Sequence, residues 1–353
     1  MSVTRKDIAK HTGLSPSTVG MILSGRGERY SDATRKSVLS AAEELNYRVD
    51  PAARSLRLNR SFLLGVLMSA GNAIIVTDVL RGIQDALGEG DYAPTVFSHR
   101  DGREQAECLR RCVDRRVDGL IANVAVDSDG KIDRARYEAL ASHPIPVVEI
   151  FGRFLADTIK INVDYQAAGR TATEHLLALG HRRIAMFTHA KYRTSASRGA
   201  GRHFDAWERY LGYEQALRTA GLEPTVVTHP LSGEVDVEEE FFSGGYQGLG
   251  EVLNHPAQPT AVVCYNDLQA YGLIRAARVE SVPLPERLSI VGYGDKDVSR
   301  ITTPALTTLR IPAFEVGHHA AATLLRLIDK RACDDQLIAS RLIVRESTCS
   351  FHS

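Results

Sequence analysis

Two textures of apolar and polar residues divide the chain. Up to about residue 60, apolar positions recur at helical spacing in short stretches broken by glycine, serine and proline. In TRKDIAKHTGLSPSTVGMIL, residues 4–23, Ile8 and Ala9 form one inward face and Val19, Ile22 and Leu23 a second. Thr4 stands where a cap belongs, with Asp7 three positions on as in a capping box. Gly13 permits the left-handed backbone that a sharp turn needs. Ser15 then caps a second helix, and Pro16 falls at its first position, where a missing N–H costs nothing. Pro16, Ser17, Gly20, Met21 and Ser24 are left pointing outward. Ser31 caps a third helix reaching about Leu45, with Val38, Ala41, Ala42 and Leu45 inside.

From Phe62 the period changes. FLLGVLM is a buried-strand run, VLRGIQDALGEG a helix ended by glycine, and APTVFS the next strand. EQAECLRRCVDRR is a helix again, followed by VDGLIANVAV and PVVEIF. A second series starts near Val163. It comprises helix AAGRTATEHLLALG, strand RIAMFTH, a helix around 210–220, strand TVVTHP, helix YQGLGEVLN, strand TAVVCYN, a helix from Leu268 and strand LSIVGY. Alternating strands and helices imply parallel sheets with helices on both faces. The pattern therefore predicts a small all-α headpiece followed by an α/β body.

Charge sharpens the division. The 353 residues carry 43 Lys+Arg against 43 Asp+Glu, yet residues 1–60 hold eleven basic side chains against six acidic, a balance of +5. A basic module on a mildly acidic body is what a phosphate-binding head on a sensor shows. Two capped helices around a tight turn make a helix-turn-helix, whose second helix enters a DNA major groove. Hydroxyls, cations and helix N-termini are what phosphates attract. The candidates in the headpiece are Thr4, Arg5, Ser15, Pro16, Ser17, Thr18, Met21, Arg26, Ser31 and Arg35. Each also has a plainer reading as a cap or a solvated charge. Beyond the headpiece, Asp50-Pro51 restarts the chain with AARSLR, which is too short to be a stable helix alone.

VTRKDIAKHTGLSPSTV, SDATRKSVLSAAEELNY and DPAARSLRLNRS resemble the DNA-binding headpiece and hinge of the LacI/GalR family of transcriptional repressors. The resemblance continues in order through RRVDGLIA, TATEHLLALGHRRIA, TAVVCYNDLQAYG and SIVGYGDKDVSRITTPALTTLR. It implies a helix-turn-helix headpiece over 1–48 and a hinge helix and linker over 49–60. The body, 61–353, is then periplasmic-binding-protein-like, with two Rossmann-like lobes, about 61–161 with 314–339 and 162–313 with 340–353. The chain crosses between them near Asn162, Pro312 and Ser340. The hinge, with Arg54, orders on operator DNA, and Leu56 matches the leucine pushed into the minor groove. The function implied is that of a homodimeric, cytoplasmic repressor whose operator affinity is set by a small-molecule effector, a sugar or related metabolite. Arg209 in RYLGY matches the family's effector-contacting arginine, and Asn266-Asp267 its ND pair.

Three departures from the family stand out. Gly294 occupies the place of the usual aspartate, with Asp295 one later. Met21 stands where the recognition helix usually carries arginine, so a guanine-reading fork is absent. The stretch AKYRTSASRGAGRHFDAWE before Arg209 is long, and offers Arg193, Arg198, Arg202, His203 and Trp207 to a cleft. The C-terminus RLIVRESTCSFHS lacks a tetramer-forming leucine heptad.

No catalytic constellation emerges, and no metal or cofactor is assigned. There is no P-loop lysine and no GxSxG, and the glycines of SGGYQGLG lack a preceding strand of the right length. Cys108 and Cys112 share a helix face, but no second pair answers them at zinc-site spacing. His318-His319 reads as a surface or interface pair. Five scattered cysteines fit a reducing compartment. The first residues are polar, unlike a signal peptide, and no apolar run approaches the ~20 residues of a membrane span. The site expected is a cleft lined at the carboxyl ends of strands. Ser69 follows the first strand, Phe151-Gly152-Arg153 what is counted as the fifth, and Asn266-Asp267 and Gly294-Asp295 two later ones. The effector candidates are Ser69, Arg153, Arg209, Asn266, Asp267 and Asp295. A solute sensor without DNA function is the rival, opposed by the basic headpiece and Leu56. An enzyme on the same scaffold ranks third, since fold does not fix function.

Overall fold

The computed structural model describes residues 3–23, 26–47, 55, 58–69, 73–124, 145–193, 204–230 and 237–351. The chain divides into two units, Met1–Ser61 and Phe62–Ser353. Arg54 and Leu56 lie outside the described residues.

The first unit is three helices, α1 (Arg5–Thr12), α2 (Pro16–Leu23) and α3 (Asp32–Glu44). Their ends are set by local chemistry. The Asp7 carboxylate accepts from the Thr4 N–H at 2.8 Å and from the Thr4 hydroxyl at 2.7 Å, fixing the entry to α1. These bonds hold the Asp7 carboxyl below its ordinary range. Gly13 ends α1 in the left-handed region at φ 68°. Ser15 accepts from the Thr18 N–H at 3.0 Å and Ser31 from the Thr34 N–H at 3.2 Å. The three helices close on Ile8, Ala9, Val19, Ile22, Val38, Ala41 and Ala42, with Leu14, Leu23, Tyr30, Leu45 and Tyr47 packed around them. A core this small leaves the module marginally stable.

The second unit holds two six-stranded sheets. The first is ordered β11-β5-β4-β3-β1-β2 and the second β12-β10-β9-β8-β6-β7. The strands are β1 (Leu63–Ser69), β2 (Ala93–His99), β3 (Gly119–Ala122), β4 (Val147–Ile150), β5 (Ile159–Val163), β6 (Ile184–His189), β7 (Thr225–His229), β8 (Ala261–Cys264), β9 (Ser289–Gly294), β10 (Thr307–Arg310), β11 (Gln336–Ile338) and β12 (Arg341–Ile343). Every pairing is parallel except β10 with β12. The chain leaves the first sheet after β5, returns after β10, and passes back between β11 and β12. Buried strands read as continuous apolar runs, as in LLGVLMS and in IAMFTH, whose every residue is buried.

The helices of this unit are α4 (Ala73–Leu87), α5 (Gly102–Asp114), α6 (Tyr165–Ala178), α7 (Phe204–Thr219), α8 (Val237–Gln247), α9 (Leu249–Leu253), α10 (Asp267–Val279) and α11 (Ala313–Ile328). Helices α6 and α7 cross backbone against backbone. A Cβ on Gly169 would fall 2.0 Å from the Arg209 carbonyl oxygen, and one on Gly212 would fall 1.9 Å from that of Gln166. Glycine at both positions is what lets the crossing form, with the Arg209 carbonyl at the point of closest approach.

The sequence pattern needs correction in places. PVVEIF contains the fourth strand, so Phe151–Arg153 follows β4; the fifth strand, Ile159–Val163, is too polar to register as an apolar run. The helix placed around 210–220 starts at Phe204, and the one drawn over YQGLGEVLN is two, α8 and α9. Cys108 and Cys112 are buried on α5, and burial raises both thiols. His318 sits on α11 with Nδ1 3.0 Å from the Asp85 carboxylate of α4. No helix among the described residues is long and apolar enough to cross a membrane.

Candidate functional site

The first unit presents the outer face of α2. Pro16 and Ser17 are exposed there, while Thr18 and Met21 are half-buried. Ser15 and Thr18 share a hydroxyl hydrogen bond at 2.9 Å at the start of the helix. Arg5 does not extend freely. Its Nε donates to the Tyr47 hydroxyl at 3.2 Å, and its terminal nitrogen lies over Gly20 of α2, tying α1 to α2 and to the segment after α3. Arg26 is exposed, and Arg35 pairs with Asp32 at the head of α3. Arg29 donates to the Tyr30 hydroxyl at 2.9 Å, which lowers that phenol. Thr4, Ser15 and Ser31 all sit at helix N-termini, where backbone N–H groups and the helix dipole favour phosphate oxygens.

In the second unit the strand ends gather around Arg209. It is buried on α7, yet charged, because each of its nitrogens has a partner. Nη2 meets the Asp205 carboxylate at 2.9 Å, Nη1 donates to the Tyr265 carbonyl at 2.8 Å, and Nε to the Asp205 carbonyl at 3.3 Å. Three tyrosine rings surround the guanidinium, Tyr293 at 4.0 Å, Tyr265 at 4.4 Å and Tyr165 at 6.0 Å. A planar cation over aromatic faces is attractive, more so when water is excluded. The Tyr265 hydroxyl closes the arrangement by donating to Asp205 at 3.0 Å. Burial raises the phenols of all three tyrosines, so they stay protonated.

Asn266 directly follows Tyr265 and caps α10, its oxygen accepting from the Gln269 N–H at 2.9 Å. The carbonyl of the preceding Tyr265 accepts from Arg209, so Asn266 is next in the chain to an Arg209 partner. The two aspartates behave differently. Asp267 is buried and accepts from the Thr308 hydroxyl at 2.6 Å, the Ser299 hydroxyl at 2.9 Å and the Lys296 N–H at 3.1 Å. Burial nevertheless raises its carboxyl. Asp295 is enclosed by Arg310 and Arg345, so it joins β9 to β10 and to the C-terminal segment. Both carboxylates are thus engaged in bracing the second sheet.

The first sheet contributes Ser69, half-buried at the end of β1, and Arg153. The loop carrying Arg153 is shaped by Glu149, buried, whose carboxylate accepts from the N–H groups of Phe154 at 2.7 Å and Leu155 at 3.0 Å. Asn162 donates to the Gly152 carbonyl at 2.6 Å. Gly152 is required, since a Cβ there would meet the Glu149 carboxylate at 2.5 Å. So held, Arg153 reaches α7. It lies 5.6 Å over the Phe204 ring and 3.3 Å from Glu208. Phe204 also meets Tyr165 edge-on at 5.5 Å and Phe154 at 6.2 Å.

Arg209, Asn266 and Arg153 therefore cluster, whereas Asp267 and Asp295 face inward partners. Sequence reading passed over Asp205, Glu208, Phe204 and the three tyrosines. One signal was available: Asp205 and Arg209 stand i,i+4 on one helix, the spacing of an ion pair. Of the long stretch before Arg209, Arg193 lies 5.2 Å over the Tyr210 ring and Trp207 stacks on that ring at 5.3 Å. Arg198, Arg202 and His203 lie outside the described residues. Among those described, no group of three or more His, Cys, Asp or Glu is placed to hold a metal ion.

Comparison with known proteins adds to this geometry. Residues 4–50 match the bacterial regulatory proteins of the lacI family, and residues 173–348 a periplasmic binding protein-like domain. The ribose operon repressor of Haemophilus influenzae is 31% identical over 349 residues, 98% of this chain and 96% of that protein. The HTH-type transcriptional repressor PurR of the same species is 29% identical over 356 residues, covering 98% and 99%. In fold, the chain is similar to a lac repressor dimer bound to operator and the anti-inducer ONPF, with a TM-score of 0.74 at 24% identity, covering 99% of this chain and 100% of that one.

Proposed function

This chain belongs to the LacI family of bacterial regulatory proteins, a family of DNA-binding repressors controlled by small-molecule effectors, and on that premise we propose how it divides the work. The first unit reads an operator half-site with the outer face of α2, from Pro16 and Ser17 to Met21. Thr4, Ser15, Thr18, Ser31, Arg26 and Arg35 supply the phosphate contacts. Met21 has no donor, so it serves by apolar contact, as with a thymine methyl. Leu56 wedges into the minor groove at the centre of the operator. Two copies of the chain act together, each taking one half-site, in the cytoplasm where the DNA is. The chain carries no catalytic activity.

The effector binds where Arg209 and Asn266 meet the loop of Arg153. The observation that carries this is the buried Arg209, caged by Tyr165, Tyr293 and Tyr265, the residue before Asn266, and beside the ion pair that joins the Arg153 loop to Glu208 of α7. Ser69 is a further candidate contact. Asp267 and Asp295 support the site through the second sheet. A ligand touching Arg209 on one lobe and Arg153 on the other favours one lobe orientation, and it shifts DNA affinity by its differential affinity for the two orientations. The relationship to a ribose operon repressor supports a sugar or related metabolite as effector.

Arg209→Ala tests the site. Charged hydrogen bonds contribute roughly 1.5–3 kcal/mol each, so the variant loses its effector response at concentrations that saturate the parent while still binding operator. A gel shift on the chain's own upstream region, run with and without candidate metabolites, reads both properties. An unaltered response moves the site away from Arg209.

A further inference from the structure

We infer that Asp205 determines effector specificity, selecting an uncharged, polyhydroxylated molecule over a phosphorylated or carboxylated one. The inference rests on the reading that Arg209 touches the effector.

A buried arginine with nothing opposite it is an anion site, because its fork of five N–H groups matches carboxylate and phosphate oxygens. Arg209 is different. Asp205, one helical turn earlier on α7, already neutralises it at 2.9 Å. The same carboxylate oxygen also accepts the Tyr265 hydroxyl at 3.0 Å. Among the described residues the other oxygen of Asp205 accepts no hydrogen bond, and a quarter of the side chain, 25%, is exposed. Arg209 in turn uses three of its N–H groups within the protein and keeps one on each terminal nitrogen.

Among the described residues, two donors of Arg209 and one carboxylate oxygen of Asp205 are therefore left over side by side. A sugar hydroxyl both accepts and donates, so neighbouring hydroxyls satisfy this alternation. A phosphate or carboxylate oxygen accepts only. It would take the Arg209 donors while lying against the Asp205 charge, and like charges brought together at a binding site are strongly unfavourable. The other arginines described around the site are similarly spent: Arg153 on Glu208, and Arg310 and Arg345 on Asp295. The half-buried Tyr265 ring beside the guanidinium suits the apolar face of a sugar ring.

The experiment uses the full chain, a panel of free pentoses and hexoses, and the monophosphate of each, with binding read by thermal shift and calorimetry. The parent binds at least one free sugar and binds its phosphate ester more weakly. Asp205→Asn keeps the size and removes the charge. Its affinity for the free sugar falls about tenfold and its affinity for the phosphate ester rises about tenfold, the worth of one charged contact. Asp205→Glu, which keeps the charge, retains the parent's order of preference. A parent that prefers phosphate esters, or that binds no free sugar, overturns the inference. So does an Asp205→Asn variant that weakens every ligand equally, since that is the mark of a merely structural residue. Arg209→Ala is run alongside: sugar binding that survives it refutes the placing of the site, and not the charge argument.

Discussion

Gly169→Ala tests the crossing that positions Arg209. The added Cβ would stand 2.0 Å from the Arg209 carbonyl oxygen. A carbon and a carbonyl oxygen touch at roughly 3.3 Å, so α6 and α7 must part by about an ångström. Neither the obstacle nor the probe is a flexible side chain, and Gly212 faces Gln166 at the same crossing with equal intimacy. Overpacking of this kind costs up to about 3 kcal/mol. Alanine regains roughly 0.5–1 kcal/mol of helix propensity over glycine, leaving a net loss of about 2 kcal/mol. For a unit of this size that is a drop of about 3 °C in Tm. Separation of the helices also shifts Arg209, with Asp205 on the same helix, from Tyr165 of α6 and from Tyr265, so the effector-induced rise in Tm shrinks too. Gly250→Ala is the control: nothing lies within 4 Å of a Cβ there, and the substitution in a helix leaves stability unchanged or higher. Thermal unfolding with and without effector reads all of this. A Gly169→Ala protein as stable and as responsive as the parent would refute the close-crossing argument.

Met21→Arg adds the bidentate donor that α2 lacks, so it changes the preferred base at one half-site position; selection from a randomised operator pool checks it, and an unchanged consensus removes Met21 from base reading. Stability falls as pH drops below the ordinary histidine value of 6.5. Burial lowers His99, His175, His181 and His229, so the unfolded chain binds the extra protons first and stability is full only above that value. His181, bonded to Thr260 at 2.9 Å and to the Cys349 carbonyl at 3.1 Å, ties the C-terminal segment to the second lobe, so His181→Gln flattens the profile. Denaturant unfolding at pH 7.5 and 5.5 measures the slope, and equal stability at the two values contradicts it.

What could be read from the chain beforehand followed the range of the interactions. The caps at Ser15 and Ser31 and the turn at Gly13 are local, decided within four residues, and they show in sequence. The parallel α/β plan shows because buried strands such as β1 and β6 are unbroken apolar runs. Strands of three to five residues with polar members, β5, β10, β11 and β12, left too weak a period. The tyrosine cage was invisible because its rings come from the start of α6, just past the end of β8 and the end of β9, which only the fold brings together. Asp267 and Asp295 looked like ligand contacts because they end strands; their partners, Thr308, Ser299, Arg310 and Arg345, are named by tertiary structure alone. Asp205 was within reach, but beginning α7 at Tyr210 placed it in a loop and hid its helical spacing to Arg209.

The central claim is that one chain couples operator binding in the first unit to effector binding in the second, and a linkage titration tests it most directly. Operator affinity is measured by fluorescence anisotropy with and without saturating effector at fixed salt, and effector affinity by calorimetry with and without bound operator. Binding linkage requires the two ratios to agree. The account predicts a common factor of roughly 5–150, the usual range of allosteric coupling, and a factor of one for Arg209→Ala. Operator affinity that stays the same with and without a bound effector would contradict it.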